Sequence, residues 1–134
     1  MAARRDGASR RAQAMDIDAL LAVARLSFVQ MQAAWDAADL KTLAGCTTGP
    51  LLADLSAQLL QRGPGPNHTE VLSLHAKLLA LDDLREAYVA SVEFSGEIRE
   101  HEAAAVAPFR ELWLLANLKS AAGDWRLAGV QSLS

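Results

Sequence analysis

Cysteine occurs once in the 134 residues, proline four times, and aromatic residues make up only 5% of the chain. Cys46 has no partner for an internal disulfide, so nothing points to a disulfide-stapled secreted domain. It reads instead as a small buried hydrophobe. No run approaches the ~20 apolar residues that a spanning helix needs, and residues 1–15 lack the apolar middle of a signal peptide. The chain as given therefore reads as soluble, with a membrane segment encoded upstream left open. The three histidines, His68, His75 and His101, never stand at i, i+4 on a helix, so a metal box has no support. Asn67-His68-Thr69 matches a glycosylation sequon, read here as chance. Clustered Lys/Arg are missing beyond residue 15, which argues against a nucleic-acid partner.

Hydrophobic residues, by contrast, reach 51%, enough to exclude disorder for most of the chain and to give one domain a core. The net charge of −3 hides an asymmetry. Residues 1–15 hold Arg4, Arg5, Arg10 and Arg11 against Asp6 alone, a sum of +3 that leaves −6 for the rest. A flexible basic arm or linker remnant (1–15) is thus expected before a single domain (16–134).

Asp16 reads as a helix N-cap. Ile17, Leu20, Leu21, Ala24, Phe28, Met31 and Trp35 fall on one stripe, which predicts a helix over 16–37. Asp39 caps a short second helix over 40–47. Gly49-Pro50 opens a third over 50–62, and Gly63-Pro64-Gly65-Pro66 ends it. From Glu70 the period changes to two: Leu72, Leu74, Ala76, Leu78 and Ala80 share one face of a strand that turns at Asp82-Asp83. Tyr88, Ala90, Val92, Phe94 and Ile98 alternate with Ser91, Glu93, Ser95 and Glu97. After a loop over 99–107, whose acidic stretch reads as solvated, come strands over 108–119 and 124–133, joined at Gly123-Asp124. Helices followed by a meander of strands indicate α+β order, with helices on one face of an antiparallel sheet.

The third strand breaks clean alternation. Phe109, Trp113 and Leu115 share one face; Leu112, Leu114, Ala116 and Leu118 share the other. Both faces should then be covered, one by the first helix and the other by loops, a protein partner, a lipid or a second copy of the chain.

Several segments resemble, in order and spacing, the C-terminal domain of the forty-four-kilodalton subunit of the mitochondrial inner-membrane import translocase and its bacterial relatives. They are Phe28-Val29-Gln30-Met31-Gln32-Ala33-Ala34-Trp35-Asp36 with Asp39-Leu40, Asn67-His68-Thr69-Glu70-Val71, Val92-Glu93-Phe94-Ser95-Gly96, Phe109-Arg110-Glu111-Leu112-Trp113, and Trp125-Arg126-Leu127-Ala128-Gly129-Val130-Gln131. Together they span about 16–131. The resemblance implies an α+β cone like nuclear transport factor 2, also called cystatin-like. N-terminal helices would lie on a curved four-stranded antiparallel sheet over a deep apolar pocket. It implies a noncatalytic scaffold at an inner membrane, peripheral or tethered, that contacts anionic lipid. The family's long N-terminal region for chaperone and channel contacts is missing, and the Ala- and Leu-rich composition looks bacterial. Lipid association and scaffolding carry over; the import role does not.

The candidate ligand-pocket residues are Phe28, Met31 and Trp35 from the helix, with Leu74, Leu78, Val92, Phe94, Phe109, Glu111, Trp113 and Leu127 from the sheet. Such a wall would suit an acyl chain at ~0.8 kcal/mol per buried CH₂; the alternative is an ordinary filled core. Arg4, Arg5, Arg10 and Arg11 are candidates for contact with anionic headgroups, the alternative being a disordered arm. Glu111, by parity among Phe109 and Trp113, is the one carboxylate placed for acid–base work in a small isomerase- or dehydratase-like enzyme. Its alternative is a pairing with Arg126 or backbone N–H groups. No cofactor and no metal are expected.

Overall fold

The computed structural model describes residues 2–62, 68–100, 104–120 and 125–133, with side chains from Ile17 onward. Helices α1 (Ala2–Asp36), α2 (Leu40–Cys46) and α3 (Gly49–Arg62) precede strands β1 (Glu70–Asp83), β2 (Ala87–Arg99), β3 (Ala107–Leu118) and β4 (Arg126–Ser132). The strands form one antiparallel sheet in the order β1-β2-β3-β4. This is the α+β architecture expected, with N-terminal helices followed by a four-stranded antiparallel sheet. The two turns read at 63–66 and 123–124 lie outside the described residues.

Helix α1 starts well before the expected N-cap. Its backbone is helical from Ala2, so Asp16 is an interior position and the stretch read as a flexible arm continues the helix. Ala, Arg, Gln and Met are good helix formers, and no proline interrupts them. Leu20, Ala24, Phe28, Met31 and Ala34 are buried at the spacing of one helical stripe. The opposite side is also apolar, with Val23, Leu26 and Val29 exposed. By length and composition, Ile17–Asp36 is apolar enough to cross a membrane, which corrects the expectation that no segment approached this. Core helices of soluble proteins pass the same test, and this one packs its inner stripe on the sheet.

The helix ends in a Schellman arrangement. The Asp39 N–H donates to Ala34 O (2.8 Å) and the Ala38 N–H to Trp35 O (3.1 Å). Ala38 takes the left-handed conformation (φ 53°) where glycine is usual. Asp39 then caps α2, accepting from the Thr42 N–H (3.2 Å) and hydroxyl (2.6 Å). The link into α3 is tied to the sheet: Thr47 bridges Leu127, and the Thr48 N–H donates to Leu127 O (2.9 Å).

Bulges correct the face assignment of β1. The pairing slips between Val71 and Ser73 and again between Leu78 and Ala80. Each extra residue reverses the side-chain parity. Val71, Leu74, Ala76, Leu78 and Leu81 therefore pack on the core, while Leu72 is exposed, and Ala80, paired with Ser91, turns outward. At the first bulge the backbones come very close. A Cβ on Gly96 (φ 155°) would stand 2.0 Å from Ser73 O and 3.2 Å from the Phe109 ring. The Glu97 N–H donates to Ser73 Oγ (3.1 Å) at the same place. Such bulges bend the strand that carries them and increase its local twist.

On β3, Trp113 and Leu115 face α1 and are buried, as expected. The reverse face is not covered by loops among the described residues: Leu114 and Leu118 remain exposed, as does Leu79 of β1.

Two glycine–alanine exchanges should therefore act in opposite directions. Ala38→Gly should stabilise the protein by about 1 kcal/mol by relieving a left-handed alanine. Gly96→Ala should destabilise it by about 1–3 kcal/mol through overpacking against Ser73. Urea unfolding monitored by circular dichroism measures both.

Candidate functional site: a cavity beneath the helices

The centre of the helix–sheet contact is filled. The Phe28 ring lies 4.9 Å from Phe94, 5.5 Å from Phe109 and 5.0 Å from Trp113, and Phe94 meets Trp113 edge-on at 5.1 Å. Phe28, Phe94 and Val92 are fully buried, and Leu78 packs against them. Of the candidate pocket residues, these four and Phe109 build solid core. Leu74 packs on the same core and also borders an open groove of about 760 Å³ between the outer side of α1 and the start of β1.

The other candidates converge. Met31, Trp35, Glu111, Trp113 and Leu127 line a cavity of about 500 Å³ between α1, α3 and the sheet. Leu51 and Leu55 of α3 and Val130 of β4 complete its apolar wall. The cavity lies where the aromatic cluster stops and α3 crosses toward β4, held there by the Thr47 and Thr48 ties to Leu127.

Two polar ties fix its edges. Asp36, at the last turn of α1, accepts from the Thr69 N–H (2.6 Å) and hydroxyl (3.0 Å), fastening the approach to β1. Thr69 and Gln32 border both the cavity and the groove, so this tie stands between the two spaces. Arg62, at the end of α3, donates from Nη1 to Trp35 O (2.7 Å) and sets its guanidinium 5.3 Å from the Trp35 ring centre. The helix ends are thereby clamped around Trp35.

Glu111 accepts a hydrogen bond from Trp113 Nε1 (2.9 Å), two residues along the same face of β3. This corrects the expected partner. Arg126 pairs across the ladder with Ala116, whereas Glu111 stands opposite Ser132. Arg126 Nη1 is directed instead to Ala44 O (3.4 Å) and Thr47 O (3.5 Å).

Sequence reasoning missed the α3 wall and the polar rim of Gln32, Asp54, Gln58 and Glu100. The spacing of Leu51, Leu55 and Leu59 marked an apolar face on α3, but nothing local said that it meets β4. Glu100 belonged to a stretch read as solvated. The side chains of Arg4, Arg5, Arg10 and Arg11, the candidate headgroup contacts, lie outside those described. So does His101; His68 and His75 are exposed. No group of three His, Cys, Asp or Glu able to hold a metal ion occurs among the described residues.

Cys46 is half-buried rather than fully buried, with Sγ 3.2 Å from Met31 Sδ and from Thr42 O. Burial pushes its thiol above the usual range, opposed by the positive charge of Arg126.

No protein-family model matches the chain, and no curated protein matches it. Among solved structures, it is similar to a ketosteroid isomerase-like protein from Erwinia carotovora atroseptica. The two share 15% identity with a TM-score of 0.47, over 85% of this chain and 96% of that one.

The thiolate is the reactive form of cysteine, and burial disfavours it here. Cys46 in the folded protein should therefore react with iodoacetamide at pH 8 several-fold more slowly than in urea-unfolded protein. Mass spectrometry of timed aliquots measures the two rates.

Proposed function

We propose that this protein is a noncatalytic binding domain that holds a small apolar ligand in the cavity between α1, α3 and the sheet, and that it works at a membrane surface. The observation that carries the first half is the wall itself. Met31, Trp35, Leu51, Leu55, Trp113 and Leu127 surround about 500 Å³ with an open mouth, within the size range of small-molecule sites. A ligand chain entering it would gain ~0.8 kcal/mol per buried CH₂.

The membrane half draws on α1. Its exposed Val23, Leu26 and Val29 continue on the helix that carries Arg4, Arg5, Arg10 and Arg11. An apolar stripe joined to a basic segment is the pattern of a surface-seeking helix on anionic lipid. A peripheral or tethered place at a bacterial inner membrane accords with it. The exposed outer leucines Leu79, Leu114 and Leu118 would serve the scaffold role by docking a protein partner or a second copy.

One observation favours a second reading. Glu111 lies on the cavity wall with its carboxylate bonded to the Trp113 indole. A small isomerase- or dehydratase-like enzyme would use it as acid or base. Binding of a neutral apolar probe without turnover, undiminished in Glu111→Gln, argues for the binding domain.

Leu55→Trp should fill the cavity. It should weaken binding of the neutral fluorescent probe N-phenyl-1-naphthylamine at least tenfold while the unfolding midpoint holds. Equal binding by both proteins would remove the cavity reading. For the membrane half, vesicles containing cardiolipin should float the protein and neutral vesicles should not. Changing Arg4, Arg5, Arg10 and Arg11 to Ser should abolish the difference; if flotation persists, the basic segment is not the contact.

A further inference from the structure

The charge around the cavity narrows what it would hold. Three carboxylates border it, each from a different element: Asp54 from α3, Glu100 just past β2, and Glu111 from β3. Gln32 and Gln58 stand with them, and among the described residues no Lys, Arg or His lines the cavity.

Three arginines lie near the cavity among the described residues, and none of them lines it. Arg62 lies on the Trp35 ring and bonds a backbone carbonyl. Arg99 pairs with Glu70 (3.5 Å). Arg126 is directed to the carbonyls of Ala44 and Thr47. Asp54 and Glu100 form no ion pair or hydrogen bond among the described residues, and Glu111 receives the indole N–H.

The physics of such a space is one-sided. Asp54 and Glu100 stand exposed at the mouth and Glu111 is half-buried, so their combined negative field acts on an entering head group and is strongest at low ionic strength. An anionic head would enter against that field. A bare divalent ion would find no set of ligands, since these carboxylates form no group able to hold a metal. A protonated amine or quaternary ammonium on an apolar body meets neither obstacle. Its body occupies the Met31, Leu51, Leu55 and Leu127 wall, and its charge faces the carboxylates.

We infer that the cavity takes amphiphilic organic cations, apolar chains or ring systems bearing one positively charged nitrogen, in preference to fatty acids or anionic lipids. This rests on the cavity being a binding site, as proposed above, and adds the sign of the ligand's charge.

Three probes of equal chain length test it: decylammonium, 1-decanol and decanoate, each below its micelle concentration, followed by tryptophan fluorescence at low ionic strength. Decyltrimethylammonium serves as a fourth arm to separate quaternary from primary amines. Decylammonium should bind at least tenfold more tightly than decanoate, with decanol between. The gap should shrink several-fold in Asp54→Asn/Glu111→Gln and stay in Asp18→Asn/Asp82→Asn, which removes the same charge from exposed sites away from the cavity. Near-UV circular dichroism checks that each variant keeps its packing.

Equal binding of all three chains would leave the cavity as a binding site and overturn its charge preference. So would a gap that shrinks equally in both double variants, which would trace it to net charge. Binding of none would remove the underlying site as well.

Discussion

The insertion of Phe28 between Phe94, Phe109 and Trp113 is the contact on which the rest of the molecule depends. It joins one helix to two strands distant in sequence, and it is fully enclosed. Removing a buried ring of this kind costs about 3–5 kcal/mol, a large share of the stability of a domain this size. The ion pairs are small beside it. Arg110–Glu93 and Arg99–Glu70 are solvent-exposed to a large degree, and exposed pairs contribute about 0–1 kcal/mol. The helix is held on the sheet by aromatic packing, and charge decorates the outside.

That same cluster explains why a hollow exists and where it lies. Four rings fill the middle of the face that meets α1, and they do not reach across its α3–β4 side. There the wall is made of leucines, Met31 and Trp35, spread over three elements. The polar ties at Asp36–Thr69 and Arg62–Trp35 hold those elements apart as well as together. Each is charge-assisted and worth about 1.5–3 kcal/mol, enough to resist local collapse around a cavity. Stability and hollowness thus come from different residues, so one can be altered while the other is kept.

The sequence made the element order legible because the periodicities were long and well punctuated. The stripe from Leu20 to Trp35 and the alternation from Ala90 to Ile98 each outlast any local ambiguity. It was less informative where one residue changes everything. The β1 bulges leave no mark in the Leu-Ser-Leu-His-Ala-Lys-Leu-Leu pattern, yet they move Leu72 and Ala80 to the other face. Alternation reports parity, and parity survives only until the first bulge. The start of α1 was missed for another reason: an N-cap residue can also stand inside a helix, and Gly7 and Ser9, which read as arm, do not interrupt it.

The site was half legible, and the division has a physical basis. Residues on α1 and β3 were found because each projects toward the core by its own local period. Asp54, Gln58 and Glu100 were not, since their place depends on the crossing of α3 over β4, a contact set by two backbone ties at Leu127. Composition reports hydrophobic walls well, because burial selects them. It reports rim charge poorly, because a carboxylate at a cavity mouth and one on open surface look alike in a sequence. The chemical character of a ligand is written mostly in that rim. A pocket can therefore be foreseen from periodicity, while the sign of its occupant emerges only when separate elements are brought to one opening.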